Sequence, residues 1–250
     1  MKKTNVFLGI VLVVLSVLLH GIHYMVFRDL HHIMIFLLAD VAFIPLEVFF
    51  VSLVLERIIE KQEEGKVVKK MNMLVGLFYQ EVGNELLKIF VNVDKNSHFL
   101  TKDLMMNFNW ESSNYKELNK EIREHKHEID IRKLDLIMLH QILKKYKPEI
   151  VNLISNPLLL EKEYFSDVLM STFHLYEELE HRNLQKLDID DLEHLVIDCE
   201  RVYRHLSIEW VIYMEHLQKA YPYLFWTAVK TNPFDFRKLS VIETELKMSV

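Results

Sequence analysis

Residues 5–55 read NVFLGIVLVVLSVLLHGIHYMVFRDLHHIMIFLLADVAFIPLEVFFVSLVL. Two apolar segments, Asn5 to Phe27 and Ile33 to Leu55, are separated only by Arg28-Asp29-Leu30-His31-His32. Each has roughly the twenty residues an α-helix needs to cross a hydrocarbon core about 30 Å thick, so the pattern predicts a transmembrane helical hairpin in contact with membrane lipids. Lys2 and Lys3 ahead of Val6 to Leu19 also fit the start of a signal peptide. The apolar run, however, continues through His20-Gly21-Ile22-His23 without a small-x-small cleavage site. Lys2 and Lys3 on one side and Arg57, Lys61, Lys66, Lys69 and Lys70 on the other flank a link whose sole Lys or Arg is Arg28. The positive-inside rule then predicts a cell-membrane protein with both termini in the cytoplasm.

The exceptions to apolarity carry the next step. Gly9, Ser16, His20 and His23 form a small and polar stripe on the first helix, and Asp40 and Glu47 lie seven apart on the second, with Pro45 between them. Antiparallel matching from the link sets His20 level with Asp40, while Glu47 finds no titratable partner at its depth. An ionisable group at such depth costs about 2.5–3.5 kcal/mol and normally faces protein or water. Asp40 and Glu47, with His20 and His23, therefore line a polar path in a homo-oligomer, or else His20 and Asp40 form a buried structural pair and Glu47 is protonated or bonded to backbone freed by Pro45. Two helices alone cannot enclose a pore.

Beyond Leu55 the chain is charged. With 30 basic and 36 acidic residues, formal net charge −6, it offers no broad positive field for nucleic acid. Cys199 is its single cysteine, which excludes an intramolecular disulfide. All five glycines (9, 21, 65, 76 and 83) precede residue 84, and a β-rich domain without glycine at its turns is hard to build. The fold class is all-α: a transmembrane hairpin at 1–55, a connecting helical region at 56–96, a cytoplasmic helical domain at 97–236 and a polar tail at 237–250. Gly65 is a candidate interruption. Apolar periodicity runs through Val67, Met71, Leu74, Phe78, Val82, Leu86 and Phe90 to a break at Asp94-Lys95-Asn96-Ser97. Further helices are expected near 101–109, 114–127, 132–146, 148–155, 160–183, 190–220 and 222–230. Pro148 suits a helix start, and Asp188 or Asp190 an N-cap.

Two of these helices carry stripes of chemistry. Asp167, Ser171, His174, Glu178 and His181 share one face; His194, Asp198, Arg201, His205, Glu209 and His216 share another. As an antiparallel pair, they set Glu178 level with His194 and His174 with Asp198, a possible metal set. The rival reading packs the apolar faces together and turns both stripes outward as ion-pair ladders, and the helical spacing favours it. A third reading makes Arg201 and Arg204 donors to a partner or small anion. Glu121-Ile122-Arg123-Glu124-His125-Lys126-His127-Glu128 reads as a solvated charge run. No phosphate loop, dinucleotide fingerprint, nucleophile elbow or His-Glu-x-x-His is present, so no enzyme and no cofactor is implied.

Tyr221 to Asp235, with Glu209 to Leu217 before it, resembles the C-terminal signature of a group of uncharacterised prokaryotic membrane proteins. Asp40 to Leu55 and Glu81-Val82-Gly83 are similar to the same group. The resemblance implies a two-helix membrane anchor followed by an all-helical cytoplasmic domain and carries over no catalytic residues. The expectation is an oligomeric integral membrane protein whose cytoplasmic domain binds or senses a protein or small ligand, in its most concrete form a small ion-conducting assembly. A membrane-tethered scaffold and a metal-binding helical enzyme are the alternatives.

Overall fold

The computed structural model describes residues 3–104, 110–160, 163–237 and 240–242. The end of the expected helix at 101–109 and most of the expected tail at 237–250 lie outside them. Every regular element among the described residues is helical, and the chain divides into two compact units, Met1–Gly65 and Lys66–Val250.

In the first unit, α1 (Lys3–Phe27) ends where Arg28 adopts φ 49° and donates its N–H to Tyr24 O at 2.8 Å. Asp29 Oδ1 accepts the N–H of His32 at 3.1 Å, satisfying an end donor of α2 (Leu30–Phe78). The ring of His23 stacks on that of His32 across this turn. His20 Nδ1 pairs with Ser16 O at 2.9 Å, within its own helix. Both helices hold a stretch long and apolar enough to cross a membrane, each with mean hydropathy 2.3. Within this unit residues such as Leu18, Val26, Phe36 and Phe49 are exposed.

Helix α2 runs through Pro45 and also through Gly65, where an interruption was expected. One interior glycine costs only about 1 kcal/mol relative to alanine, and good helix formers flank this one.

In the second unit, α2 passes into a π-helical turn (Tyr79–Gly83), followed by α3 (Asn84–Val93), α4 (Ser97–Asp103), α5 (Ser112–Glu124) and α6 (Leu136–Ile154). Then come α7 (Pro157–Leu160), α8 (Glu163–Glu180), α9 (Ile189–Ala220) and α10 (Pro222–Lys230). The starts follow local chemistry. Glu111 and Asn114 form a reciprocal capping box, Asp135 Oδ1 accepts from Met138 N, and Asp188 Oδ1 accepts from Asp191 N. Asp135 explains why α6 starts later than its periodicity suggests. Pro148 does not start a helix: it lies inside α6, where buried Leu143 and Ile150 hold the helix on both sides of the missing N–H.

Helix α9 is the axis of this unit. It packs against α8, α5, α10 and α3, while α6 packs on α8. Its buried Leu195, Cys199, Val202, Leu206, Trp210, Tyr213 and Leu217 recur at three- and four-residue spacing. Burial pushes the Cys199 thiol well above its usual range, as befits a core residue. Between α3 and α6 an isolated antiparallel bridge joins Asp94 to Ile129, with Asp130 N donating to Val93 O and Lys95 N to Glu128 O.

Candidate functional site

The site begins with a departure from α-helical geometry. At Tyr79–Gly83 the ladder widens, and Asn84 N donates to Tyr79 O, five residues back. Gly83 is required here: a Cβ would come 2.6 Å from Tyr79 Cδ1 and 3.0 Å from Phe78 Cε1. The Tyr79 ring cannot easily yield, because it is fully buried, stacked on Tyr213 at 5.4 Å, and donates its hydroxyl to Leu206 O at 2.8 Å. Gly76 lets Tyr213 approach in the same way, a Cβ there falling 3.0 Å from Tyr213 Oη.

A cavity of about 680 Å³ opens over this turn. Tyr79, Tyr146, Trp210 and Tyr213 give it aromatic walls, Glu81, Glu85 and Lys88 supply charge, and Thr227 of α10 and Thr231 just beyond it help close it. Asn84 Oδ1 is buried without a hydrogen-bond partner. Burial, with the charge of nearby Glu209 adding to it, holds the Tyr79 phenol well above its usual range; burial pushes Tyr213 up to about 12. Both remain neutral donors at physiological pH. The rim already attracts a cation, since Lys145 Nζ lies 4.4 Å from the Tyr146 ring centroid and feels Glu85 and Glu81.

A sequence signal for the wide turn existed. From Leu74 the apolar positions recur every four residues, at Phe78, Val82, Leu86 and Phe90. Each step overshoots an α-turn by about 40°, so four steps accumulate about 160°, and one extra residue in a turn absorbs about 100° of it.

The two stripes on α8 and α9 do not both turn to solvent. They face one another over part of their length: His205 Nδ1 lies 3.2 Å from Ser171 Oγ, and His174 Nε2 lies 3.6 Å from Asp198 Oδ2. Ser171, Asp198 and Glu209 are buried, because the apolar faces flanking both stripes pack around them. Of the four residues read as a metal set, His174 stands between Glu178 (4.0 Å) and Asp198; His194 is exposed. Both carboxylates are engaged by arginines, Glu178 by Arg182 and Asp198 by Arg201 at 2.9 Å. Among the described residues no group of three or more His, Cys, Asp or Glu is arranged to hold a metal ion. Glu209 lies instead behind Tyr79, and His216 Nδ1 pairs with Asn72 Nδ2 at 3.2 Å.

The charge run 121–128 is not a solvated face either. Ile122 and His127 are buried, and His125 Nε2 reaches Asp94 Oδ2 at 3.3 Å. The Asp94 carboxylate also accepts from Tyr203 Oη, Asn96 N and Glu128 N. Burial pushes its pKa up, but these hydrogen bonds, His125 first, outweigh burial and hold it below the usual range. The bridge at Asp94 and Ile129 is what draws the run inward. Arg201 and Arg204 meet in one cleft beside it.

Known proteins add a family. Residues 1–59 match the N-terminal helical domain of MJ1433, and residues 67–230 match the C-terminal helical domain of uncharacterized protein MJ1433. The uncharacterized protein MJ1433 of Methanocaldococcus jannaschii is 38% identical over 245 residues, covering 98% of each chain. The chain belongs to the MJ1433 family. The family's two domains fall on either side of the division at Gly65. No solved structure matches. In this MJ1433-family chain, Glu81, Trp210, Tyr213 and Thr227, from three of the four stretches on which the sequence resemblance rests, all line the cavity over the π-turn.

Proposed function

We propose that the chain is an integral membrane protein. In this reading α1 and the first half of α2 cross the bilayer, both termini face the cytoplasm, several copies associate through the spans, and the Lys66–Val250 unit binds a small ligand over the π-turn. The observation that carries it is the surface of the first unit, where residues such as Leu18 and Phe36 stand more than half exposed on helix after helix turn. Apolar surface on this scale, at about 25 cal/mol per Å², calls for a covering other than water, and lipid supplies one. The basic residues flanking the two segments support the orientation.

The cavity supports the choice of ligand. Two carboxylates, an amide oxygen wanting a donor and four aromatic rings suit an organic amine better than an anion or a hydrocarbon. The test is fractionation. Full-length protein is expected in carbonate-washed membranes, released by non-ionic detergent as a particle larger than one copy plus micelle. Recovery in the detergent-free supernatant would sink the reading.

A specific observation favours a conducting role for the spans. Among the described residues, neither Asp40 nor Glu47 has a hydrogen-bond or ion-pair partner within the first unit, so a ring of copies would bring the acids to a common axis. Planar-bilayer recording of Asp40→Asn and Glu47→Gln should show loss of cation selectivity. Unchanged selectivity in both variants ends this role while leaving the membrane reading intact.

A further inference from the structure

A second concave surface lies away from the π-turn, where the end of α5 and the chain just beyond it meet α9. It is a cleft of about 550 Å³ lined by Arg123, Lys126, Arg201 and Arg204, with Glu124 and Glu200 as its acids. With histidines neutral, that is a formal +2 in a chain of net charge −6. The acids are spoken for, Glu200 Oε1 by Ile129 N at 3.0 Å and Glu124 by Lys120 at 3.9 Å, and so are two of the cations, Arg201 by Asp198 and Lys126 by Glu128, both at 2.9 Å, which leaves Arg123 and Arg204 as the surplus charge. Arg204 donates to the Arg123 carbonyl at 3.0 Å, and the Arg123 guanidinium lies 4.6 Å from the Tyr164 ring centroid. Among the described residues neither arginine has a carboxylate partner.

An independent observation comes from the cleft wall. His127 is only 7% exposed, its Nδ1 lies 3.0 Å from His125 O, and its Nε2 is buried with no hydrogen-bond partner. Burial, with His125 adding to it, pushes the imidazole down to about 4, so at neutral pH it is uncharged. With the Nδ1 proton donated to the carbonyl, Nε2 presents a lone pair that wants a donor. Guanidiniums want acceptor oxygens at the same place. A monoprotonated phosphate group supplies both.

We propose that this cleft binds a phosphate monoester or inorganic phosphate, its oxygens held by Arg123 and Arg204 with Lys126 and Arg201 adding charge beside them, and its hydroxyl donated to His127. Phosphodiesters and sulfate lack that hydroxyl at neutral pH and are the weaker ligands. The proposal concerns the Lys66–Val250 unit and stands whether or not the spans conduct.

The test uses the full chain in non-ionic detergent, titrated calorimetrically with inorganic phosphate, with short-chain phosphatidate and with sulfate. At least one phosphate probe should saturate; inorganic phosphate would point to a soluble ligand and phosphatidate alone to a lipid headgroup. Sulfate should bind several-fold more weakly. Arg123→Gln with Arg204→Gln should weaken phosphate binding by about tenfold or more, as expected for losing two charge-assisted contacts. A measurement on the unsubstituted protein guards against misfolding of the variant: phosphate should slow phenylglyoxal modification of Arg123 and Arg204 but not of exposed Arg132. Failure of both phosphate probes to saturate, sulfate binding as tightly as phosphate, or equal modification of all three arginines overturns the proposal.

Discussion

The two units use the same element, the α-helix, with opposite dispositions of their apolar side chains. Among the described residues of Met1–Gly65 the apolar side chains are exposed, and Asp40 and Glu47 have no hydrogen-bond or ion-pair partner. In Lys66–Val250 the apolar side chains are inside, and buried Asp94 and Asp198 are held by hydrogen bonds or an arginine. The difference teaches that two helical units are told apart by which of their groups are covered and satisfied. Composition alone gives both units leucine and valine in plenty.

Matched substitutions are the most direct way to break the comparison. Trp210→Ala, at a fully buried position, should destabilise the Lys66–Val250 unit by about 3–5 kcal/mol. Phe36→Ala should leave the same transition within about 0.5 kcal/mol. Denaturant titration followed by circular dichroism in detergent measures both, and equal effects would mean the exposed surface belongs to the same core. Glycines give a second pair with a change of sign. Gly83→Ala should cost about 1–3 kcal/mol through overpacking against Tyr79. Gly65→Ala, with nothing within 4 Å, should be neutral or stabilise by up to about 1 kcal/mol. A stabilising Gly83→Ala would show that the Tyr79 ring can move.

Acid sharpens the contrast further. Unfolded His127 takes up a proton near 6.5, whereas buried His127 does so only near 4. Its contribution is therefore complete above 6.5, falls as the pH drops from 6.5 to 4, and is constant below that. Asp94, whose folded pKa is depressed, contributes above its unfolded value and loses that contribution as the pH drops through the folded one. Stability measured against pH should show the first step flattened in His127→Gln and the second in Asp94→Asn. The smallest effect belongs to the surface: Arg132→Gln removes an exposed contact with Asp130 at 3.4 Å and should change stability by less than about 0.5 kcal/mol.

Much of the fold was legible because it is written locally. The length of the apolar runs set α1 and the start of α2, Asp188 capped α9, and the break after α3 fell at Asp94-Ser97. Pro148 misled because a proline's local preference was outweighed by the burial of Leu143 and Ile150. The site was less legible. Its walls come from residues near 80, 146, 210 and 227, which no local pattern links, and the four-residue spacing after Leu74 passes for ordinary helix. The run at 121–128 misled for a related reason. Its charges are real, but the pairing of Asp94 with Ile129, two distant residues, decides that His127 turns inward.

The wide turn at Tyr79–Gly83 amounts to a single surplus residue carried within a helix. Deleting one residue there would return a plain α-helix and swing everything downstream by about 100°, carrying Leu86, Leu87 and Phe90 off the interior. The hollow and the packing of α3 are thus inherited as one trait, and a lineage that discards either must rebuild both.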